Sequence, residues 1–325
     1  MNQTIVVIGG GQNVEHDVSL ASADAVAASL RRSRYQVEQL AIERTGIWTH
    51  CLKPLGDTVI ASLAGALRIV GEAHAVFPAV HGPLGEDGSL AALCALAMVP
   101  MVGSDLHAGA VGMDKQLTKL VARAEGLPTA AGRVVRISDI DELQITGPVV
   151  VKPVRAGSSY GVSLATNHRE FAVGLRSAAA IGDQVLVEPY VRGREIDIAI
   201  LRKADDTLIV APPLEIHTSG LFDTAAKYDG TTRFTVPAEL TDSDRHELTH
   251  SATVMFNALG CRGVARVDFF VTADGLVLNE VNTVPGFTPA SQVPRMFEAA
   301  GIPYDELVSL LVMSARVPVA GVTPS

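Results

Sequence analysis

The stretch Ala265 to Gly286, A-R-V-D-F-F-V-T-A-D-G-L-V-L-N-E-V-N-T-V-P-G, constrains the fold more than any other part of the chain. Two apolar runs, Val264 to Val271 and Leu276 to Val281, flank a turn signal ending in Asp274-Gly275, the pattern of a β-hairpin. Side chains alternate faces along a strand, so Arg266 and Asp268 share one face of the first strand, and Glu280 and Asn282 share one of the second. The turn decides whether those faces coincide. A two-residue Asp274-Gly275 turn pairs Asp268 with Val281 and sends the polar pairs to opposite sides. A three-residue loop, Ala273 to Gly275 with Gly275 left-handed, pairs Asp268 with Glu280 and Arg266 with Asn282. We expect the three-residue loop. The resulting face carries carboxylates, an amide and a guanidinium, costly to bury unless something bridges them. Oxygen ligands of this kind suit a hard cation such as magnesium, usually shared with phosphate. A solvated hairpin face with cross-strand charge pairs accommodates the same residues.

The rest of the sequence narrows the choice. A chain of 325 residues, 48% hydrophobic and 19% charged, can form two or three domains with a sizeable core, and is too apolar to be disordered. A formal net charge of -9 argues against a broad nucleic-acid surface while leaving room for a local basic pocket for a phosphate ligand. Cys51, Cys94 and Cys261 lie far apart in no paired motif, which points to neither a disulfide framework nor a zinc site and fits a reducing compartment. The N-terminal residues lack the pattern of a signal peptide, and the longest apolar run, near Ala91 to Val102, is short and contains a proline. The expectation is a cytoplasmic protein with no membrane or nucleic-acid partner.

In order along the chain, Thr4 to Ile8 reads as a strand, Gly9-Gly10-Gly11 as a turn, and Val18, Ala23, Val26 and Leu30 as a helical stripe. Further strands at Tyr35 to Ile42 and Ala75 to Val80, and helical sequence at Ser89 to Ala97, predict a parallel sheet ending near Gly103. Its ligand side is the carboxyl end of the strands, where Gly9 to Gly11 and His81-Gly82 fall. The glycine run is a weak dinucleotide signal, because Val14 stands where the third glycine of G-x-G-x-x-G belongs. Glu15, His16 and Asp17 open the first helix, where a carboxylate is also simply favoured by the dipole. A helix over Met113 to Glu125 sets Leu117, Leu120, Val121 and Ala124 on one side, with Lys115 in the first turn, where a nearby anion would offset the unfavourable dipole. Strands follow at Pro148 to Lys152, Gln184 to Pro189 and Glu195 to Leu201. Arg155 to Gly161 is a loop of small residues whose N–H groups could approach phosphate, and His217 to Arg233 has the length of a functional lid. Helices at Thr241 to Leu259 and Tyr304 to Met313 complete the reading.

Taken together, the segments E-H-D-V-S-L, H-G-P-L-G-E-D-G, M-D-K, V-K-P-V-R-A-G-S-S-Y-G, V-E-P-Y-V-R-G-R-E, A-K-Y and N-E-V-N-T-V-P-G-F-T resemble, in order and spacing, the D-alanine-D-alanine ligases of the ATP-grasp superfamily. Each motif alone is modest, and the set covers nearly the whole chain. The resemblance implies an α/β (α+β overall) ATP-grasp fold with an N-terminal parallel-sheet domain. Its expected units are an N-terminal substrate-binding domain over 1–103, a central subdomain over 104–187 and a C-terminal subdomain with the magnesium site over 188–325. By resemblance, Lys115, Lys152, Glu188, Val191, Glu195, Phe222 and Lys227 bind ATP, and Asp268, Glu280 and Asn282 hold two magnesium ions, manganese being an acceptable substitute. Glu15, Ser158, Tyr228 and Arg266 are the implied catalytic residues, with Glu15 linked through Ser158 to Tyr228. Glu15, His81, Gly286, Ser291 and Gln292 are the implied substrate contacts. The implied chemistry joins two D-alanine molecules through an acyl phosphate into the peptidoglycan precursor D-alanyl-D-alanine, releasing ADP and phosphate, and the family suggests a homodimer.

This sequence also departs from the family pattern. The lid is about one residue shorter before Ala226-Lys227-Tyr228, with Asp223-Thr224 where aromatic residues are common. Tyr160 replaces a small aliphatic residue in the phosphate loop, and Gln292 follows Ser291 where an apolar residue is usual. Gln292 borders the second-substrate pocket, which leaves D-serine or another amine as alternative acceptors. Tyr228 resembles the dipeptide-forming members. A nicotinamide-dependent dehydrogenase and a non-catalytic ATP-binding regulator are the other readings; the missing third glycine counts against the first and the full set of magnesium ligands against the second.

Overall fold

Three sheets organise the computed structural model, which describes residues 3–136, 145–217 and 233–318. In the first sheet, β1 (Thr4–Gly10) runs parallel to β2 (Gln36–Ile42) and to β5 (Ala75–Pro78). The short strands β3 (Trp48–His50) and β4 (Lys53–Pro54) extend the β2 edge antiparallel. Strand β1 is apolar on both faces because helices cover both. Ile5 and Val7 pack toward Ala23, Val26 and Leu30 of α1 (His16–Arg32). Val6 and Ile8 pack toward Ala66 and Val70 of α2 (Val59–Gly71) and Leu90 and Cys94 of α3 (Ser89–Leu96).

The second sheet has the order β6 (Arg133–Val135), β9 (Val185–Pro189), β7 (Val149–Pro153), β8 (Ser163–Ala165), all antiparallel. It packs on α6 (His168–Ala179), which Asn167 caps by accepting the Glu170 N–H, and encloses its own core around Val151, Phe171, Leu175 and Val185. The third sheet runs β13 (Arg233–Thr235), β12 (Leu214–His217), β10 (Arg194–Arg202), β14 (Val264–Thr272), β15 (Gly275–Asn282), with β11 (Leu208–Val210) paired to β10. On one face α7 (Asp242–Ala258) buries Leu248, Ala252 and Met255 against Ile198, Val267 and Leu278, as the helical stripe predicts. Helices α4 (Leu106–Met113) and α5 (Lys115–Ala124) also pack on β15. The chain then closes with α8 (Gln292–Ala299) and α9 (Tyr304–Met313). One apolar core contains Ile5, Val26 and Leu30 of the first unit together with Val264, Phe297 and Leu307, so the first and third sheets share an interior that the second does not.

The hairpin reaches the expected face by an unexpected route. Asp268 opposes Glu280 and Arg266 opposes Asn282, yet the three-residue loop is not formed: Thr272 pairs with Gly275, leaving Ala273-Asp274 as the turn. Phe269 then pairs with Leu278, and the register shifts between Asp268 and Phe269. The extra residue is Asn279, a β-bulge that turns Asn279 and Glu280 toward the same side. Helix α5 also differs from its sequence reading. Leu117 and Leu120 are 41% and 49% exposed, whereas Lys115, Thr118, Lys119 and Ala122 are buried. Phe222, Lys227, Tyr228 and most of the expected lid lie outside the described residues.

Candidate active site

Between the second and third sheets lies a cleft of about 490 Å³. The central wall is built by β7 and β9 and the opposite wall by β10, β14 and β15, because the polar residues of these strands alternate with those facing the two cores. Arg266 is the best-anchored group on that wall. Its Nε and Nη2 donate to the two oxygens of Asp268 at 2.7 and 2.6 Å, Nη1 donates to Gln292 Oε1 at 2.8 Å, and Nε also lies 3.2 Å from Asp197 Oδ2. Burial opposes the guanidinium charge, but the Asp268 and Asp197 carboxylates outweigh it and hold Arg266 well above its ordinary range. Across the hairpin, Asn282 Oδ1 is buried with no hydrogen-bond partner among the described residues.

The opposite charge comes from helix α5 and strand β7. Lys115 Nζ donates to the Ala156 carbonyl at 2.7 Å and stands 3.4 Å from Glu280 Oε2. Lys152 reaches Asn279 Oδ1 at 3.2 Å and Glu188 Oε2 at 2.7 Å. Although burial raises the Glu188 pKa, Lys152 and Lys119 outweigh it, so the carboxyl lies below its usual range and stays ionised. Its two oxygens are thereby each held by a lysine. Val191 and Glu195 line the same cleft.

A second cluster assembles where the first sheet meets the loop after β7. Glu15, at the N-cap of α1, is buried and accepts a hydrogen bond from Ser158 Oγ. Ser158 and Ser159 have φ of 48° and 55°, and Tyr160 N–H closes the turn on the Gly157 carbonyl at 3.0 Å. A Cβ at either Gly82 or Gly157 would fall 2.5 Å from Glu15 Oε2, so only glycine lets these backbones close on the carboxylate. Next to it Glu86 accepts the Gly82 N–H at 3.0 Å. Burial, then the charge of Glu15, pushes its carboxyl up to about 8. His81 is held at both ring nitrogens, Nδ1 against the Val284 carbonyl at 2.9 Å and Nε2 against Ser22 Oγ at 2.8 Å. The carbonyl can only accept, so Nδ1 carries the proton and Nε2 accepts from Ser22. Burial holds the His81 pKa down, in keeping with a neutral ring. His81 therefore braces the first sheet against the segment that leads to Gly286. Ser291, at the N-cap of α8, accepts from Thr288 N–H at 3.1 Å and lies beside Gly286.

The structure thus gathers Lys115, Lys152, Glu188, Val191, Glu195, Arg266, Asp268 and Glu280 around one cleft. It joins Glu15 to Ser158, and Gln292 to Arg266. Sequence reasoning missed Lys119, Asp197, Asn279 and Glu86. Asn279 had a signal: Leu276 and Leu278 are two apart but Val281 follows after three, a break in alternation that marks a bulge. Lys119 had the converse of one, being a lysine in line with Lys115 one turn earlier.

Comparison with known proteins decides the family. A family model described as the D-ala D-ala ligase N-terminus matches residues 4–104, and one described as the D-ala D-ala ligase C-terminus matches residues 130–313. The chain belongs to the D-alanine-D-alanine ligase family. D-alanine--D-alanine ligase of Corynebacterium glutamicum is 37% identical over 96% of this chain and 96% of its own. The enzyme of that name from Nocardia farcinica is 36% identical over 96% of each. Among solved structures, the VanG D-Ala:D-Ser ligase from Enterococcus faecalis superposes with a TM-score of 0.82 at 30% identity, covering 98% of this chain and 100% of that one. The D-alanine-D-alanine ligase from Coxiella burnetii gives 0.78 at 30% identity, covering 96% and 93%. The fold is therefore the ATP-grasp fold, and the family is one of ATP-dependent carboxylate-amine ligases. No helix among the described residues is long and apolar enough to cross a membrane.

Proposed function

We propose that this protein uses ATP and magnesium to join two D-alanine molecules into D-alanyl-D-alanine, a precursor of peptidoglycan. The observation that carries this reading is the cleft of a family member in which Arg266, clamped by Asp268 and Asp197, faces Lys115, Lys152 and Glu280. In this reading the first D-alanine binds with its ammonium at Glu15, and its carboxylate attacks the γ-phosphate of ATP to give an acyl phosphate and ADP. Lys115 and Lys152 face the phosphates and offset charge that spreads over their oxygens during transfer. The amine of the second D-alanine then attacks the acyl carbon, and phosphate leaves. Of the five guanidinium N–H groups, three are committed to Asp268 and Gln292. The two that remain can donate to the tetrahedral oxyanion, joined by an N–H near Gly286.

The metal assignment has its own support. The unpartnered buried oxygen of Asn282, together with Asp268 and Glu280 across the same strand pair, is an all-oxygen donor set that suits a hard divalent cation. These three residues would hold magnesium, or manganese in its place. Bound there, the cation would act as a Lewis acid on phosphate oxygens.

Phosphate release from ATP should depend on D-alanine, and mass spectrometry should find D-alanyl-D-alanine; absence of D-alanine-dependent turnover refutes the assignment. A second acceptor has a specific observation behind it. Because Arg266 can only donate, it fixes Gln292 Oε1 toward itself, and the amide Nε2 is left buried without a partner among the described residues. An acceptor with a side-chain hydroxyl, as in D-serine, could receive that N–H. Products from ATP with D-alanine plus equimolar D-serine would separate the two.

A further inference from the structure

Lys119 is 1% exposed, lines the cleft, and has no part in the mechanism above. An ammonium buried this deeply costs free energy unless its partners are well placed. Its partner is Glu188, whose Oε1 lies 2.8 Å from Lys119 Nζ while Oε2 lies 2.7 Å from Lys152 Nζ. Lys152 in turn reaches Asn279 Oδ1 at 3.2 Å, at the bulge of β15. Room for the Glu188 side chain is left by Gly132, where a Cβ would stand 2.7 Å from Glu188 Cγ. The four polar groups form a chain from α5 through β9 and β7 to β15, linking the walls of the cleft. Burial, then the charge of Lys152, brings the Lys119 pKa down to about 8 against the attraction of Glu188 and Glu280. Lys115, one turn earlier on α5, lines the same cleft.

We propose that Lys119 is a positioning residue of the nucleotide site, holding one oxygen of Glu188 so that this carboxylate does not close on Lys152 alone and Lys152 keeps charge for the phosphates. This rests on the ATP reading given above. Lys152 has three N–H groups, of which Glu188 and Asn279 take two. The third can meet a phosphate oxygen. Without Lys119, Glu188 has one cation instead of two, so it draws Lys152 inward and places uncompensated negative charge next to the triphosphate. The effect is therefore on phosphate binding rather than on the base.

The test is calorimetric binding of ATP and of adenosine to the full chain, wild type and the K119M and K119R variants. K119M should weaken ATP by about tenfold or more while changing adenosine by no more than about twofold, and K119R should restore most of the ATP affinity. In wild type the ATP affinity should also fall between about pH 7 and about pH 9.5 as Lys119 loses its proton, whereas K119R, with its permanently charged side chain, should stay flatter. Unchanged ATP affinity in K119M, or equal loss for adenosine, overturns the proposal. If K119M does not fold, the pH profiles of wild type and K119R decide, and parallel profiles overturn it. Wild type that binds no ATP removes the nucleotide reading and this inference together; wild type that binds ATP while K119M binds it equally removes this inference alone.

Discussion

Arg266 shows what a buried charge needs at the scale of one residue. With Asp197 and Asp268 both within ion-pair distance, removing either carboxylate leaves a buried cation short of a partner. Breaking such a pair costs about 3–5 kcal/mol, far more than an exposed pair contributes. Asp268→Ala should therefore lower stability by that order, seen by chemical denaturation, and reduce turnover by a factor of about 100 or more. Near-normal rates would remove Arg266 from the oxyanion role. Glu86 gives a pH-dependent counterpart. Its folded pKa, raised to about 8 from the ordinary value of 4.5, means that the folded state binds its proton more tightly than the unfolded state. The stabilisation is complete below the unfolded pKa and is lost as pH rises through the folded one. Glu86→Gln, which cannot ionise, should flatten the decline in unfolding free energy between about pH 5 and about pH 8, by up to several kcal/mol. If wild type and variant keep a constant difference across that range, Glu86 is not the titrating group. Sequence could name Arg266 and Asp268 because their alternation puts them on one face. Glu86 was hidden among the turn residues of a glycine-rich loop, since nothing in a local pattern reports the desolvation that sets its pKa.

At the scale of elements, β15 and α5 mark where periodicity was sufficient and where it misled. The sequence required one extra residue between Asp268 and Glu280, and the turn was the obvious place for it; the chain instead takes it up as a bulge, which also brings Asn279 to Lys152. Pairing was legible, its mechanism less so. In α5 the apolar residues follow helical spacing, yet the face that packs inward carries Lys115, Thr118 and Lys119, because Lys115 and Lys119 line the cleft and only Ala122 of that face joins the core beneath the third sheet. A hydrophobic pattern predicts the buried side only where burial means an apolar interior. Replacing Leu117 or Leu120 with Gln should consequently shift stability by no more than about 0.5 kcal/mol, the usual range for surface positions. A thermal-melt loss matching a core truncation, of about 2 kcal/mol or more, would restore the sequence-based orientation of the helix.

Across the whole molecule, the strands and helices named from periodicity are largely present, but the way they share interiors was not legible. The first and third sheets contribute to one apolar core, and β5 is further tied to the C-terminal region through the bridges Val76 to Met101 and Met101 to Arg316. Such sharing depends on contacts between elements hundreds of positions apart, such as α1 with α9, which no local window contains. The second sheet has its own core, and the links named above to the rest are polar: Lys119 to Glu188, Lys152 to Asn279, Lys115 to the Ala156 carbonyl and Ser158 to Glu15. Polar contacts at a cleft open with less loss than an apolar interior, because water replaces the partners. The second sheet with α6 should therefore be the least stable cooperative unit, and hydrogen exchange in β6, β7 and β9 should proceed through openings of lower free energy than in β1, β10 and β14. ATP bridges both walls of the cleft in the proposed reading. At about a hundredfold excess over its dissociation constant it should add about 2.7 kcal/mol to the openings that break the site, while openings that leave it intact gain nothing. Mass-spectrometric hydrogen exchange with and without a non-hydrolysable ATP analogue measures both effects. Uniform protection across the three sheets, or a gain spread evenly over them, would mean that the second sheet opens only when the whole protein does.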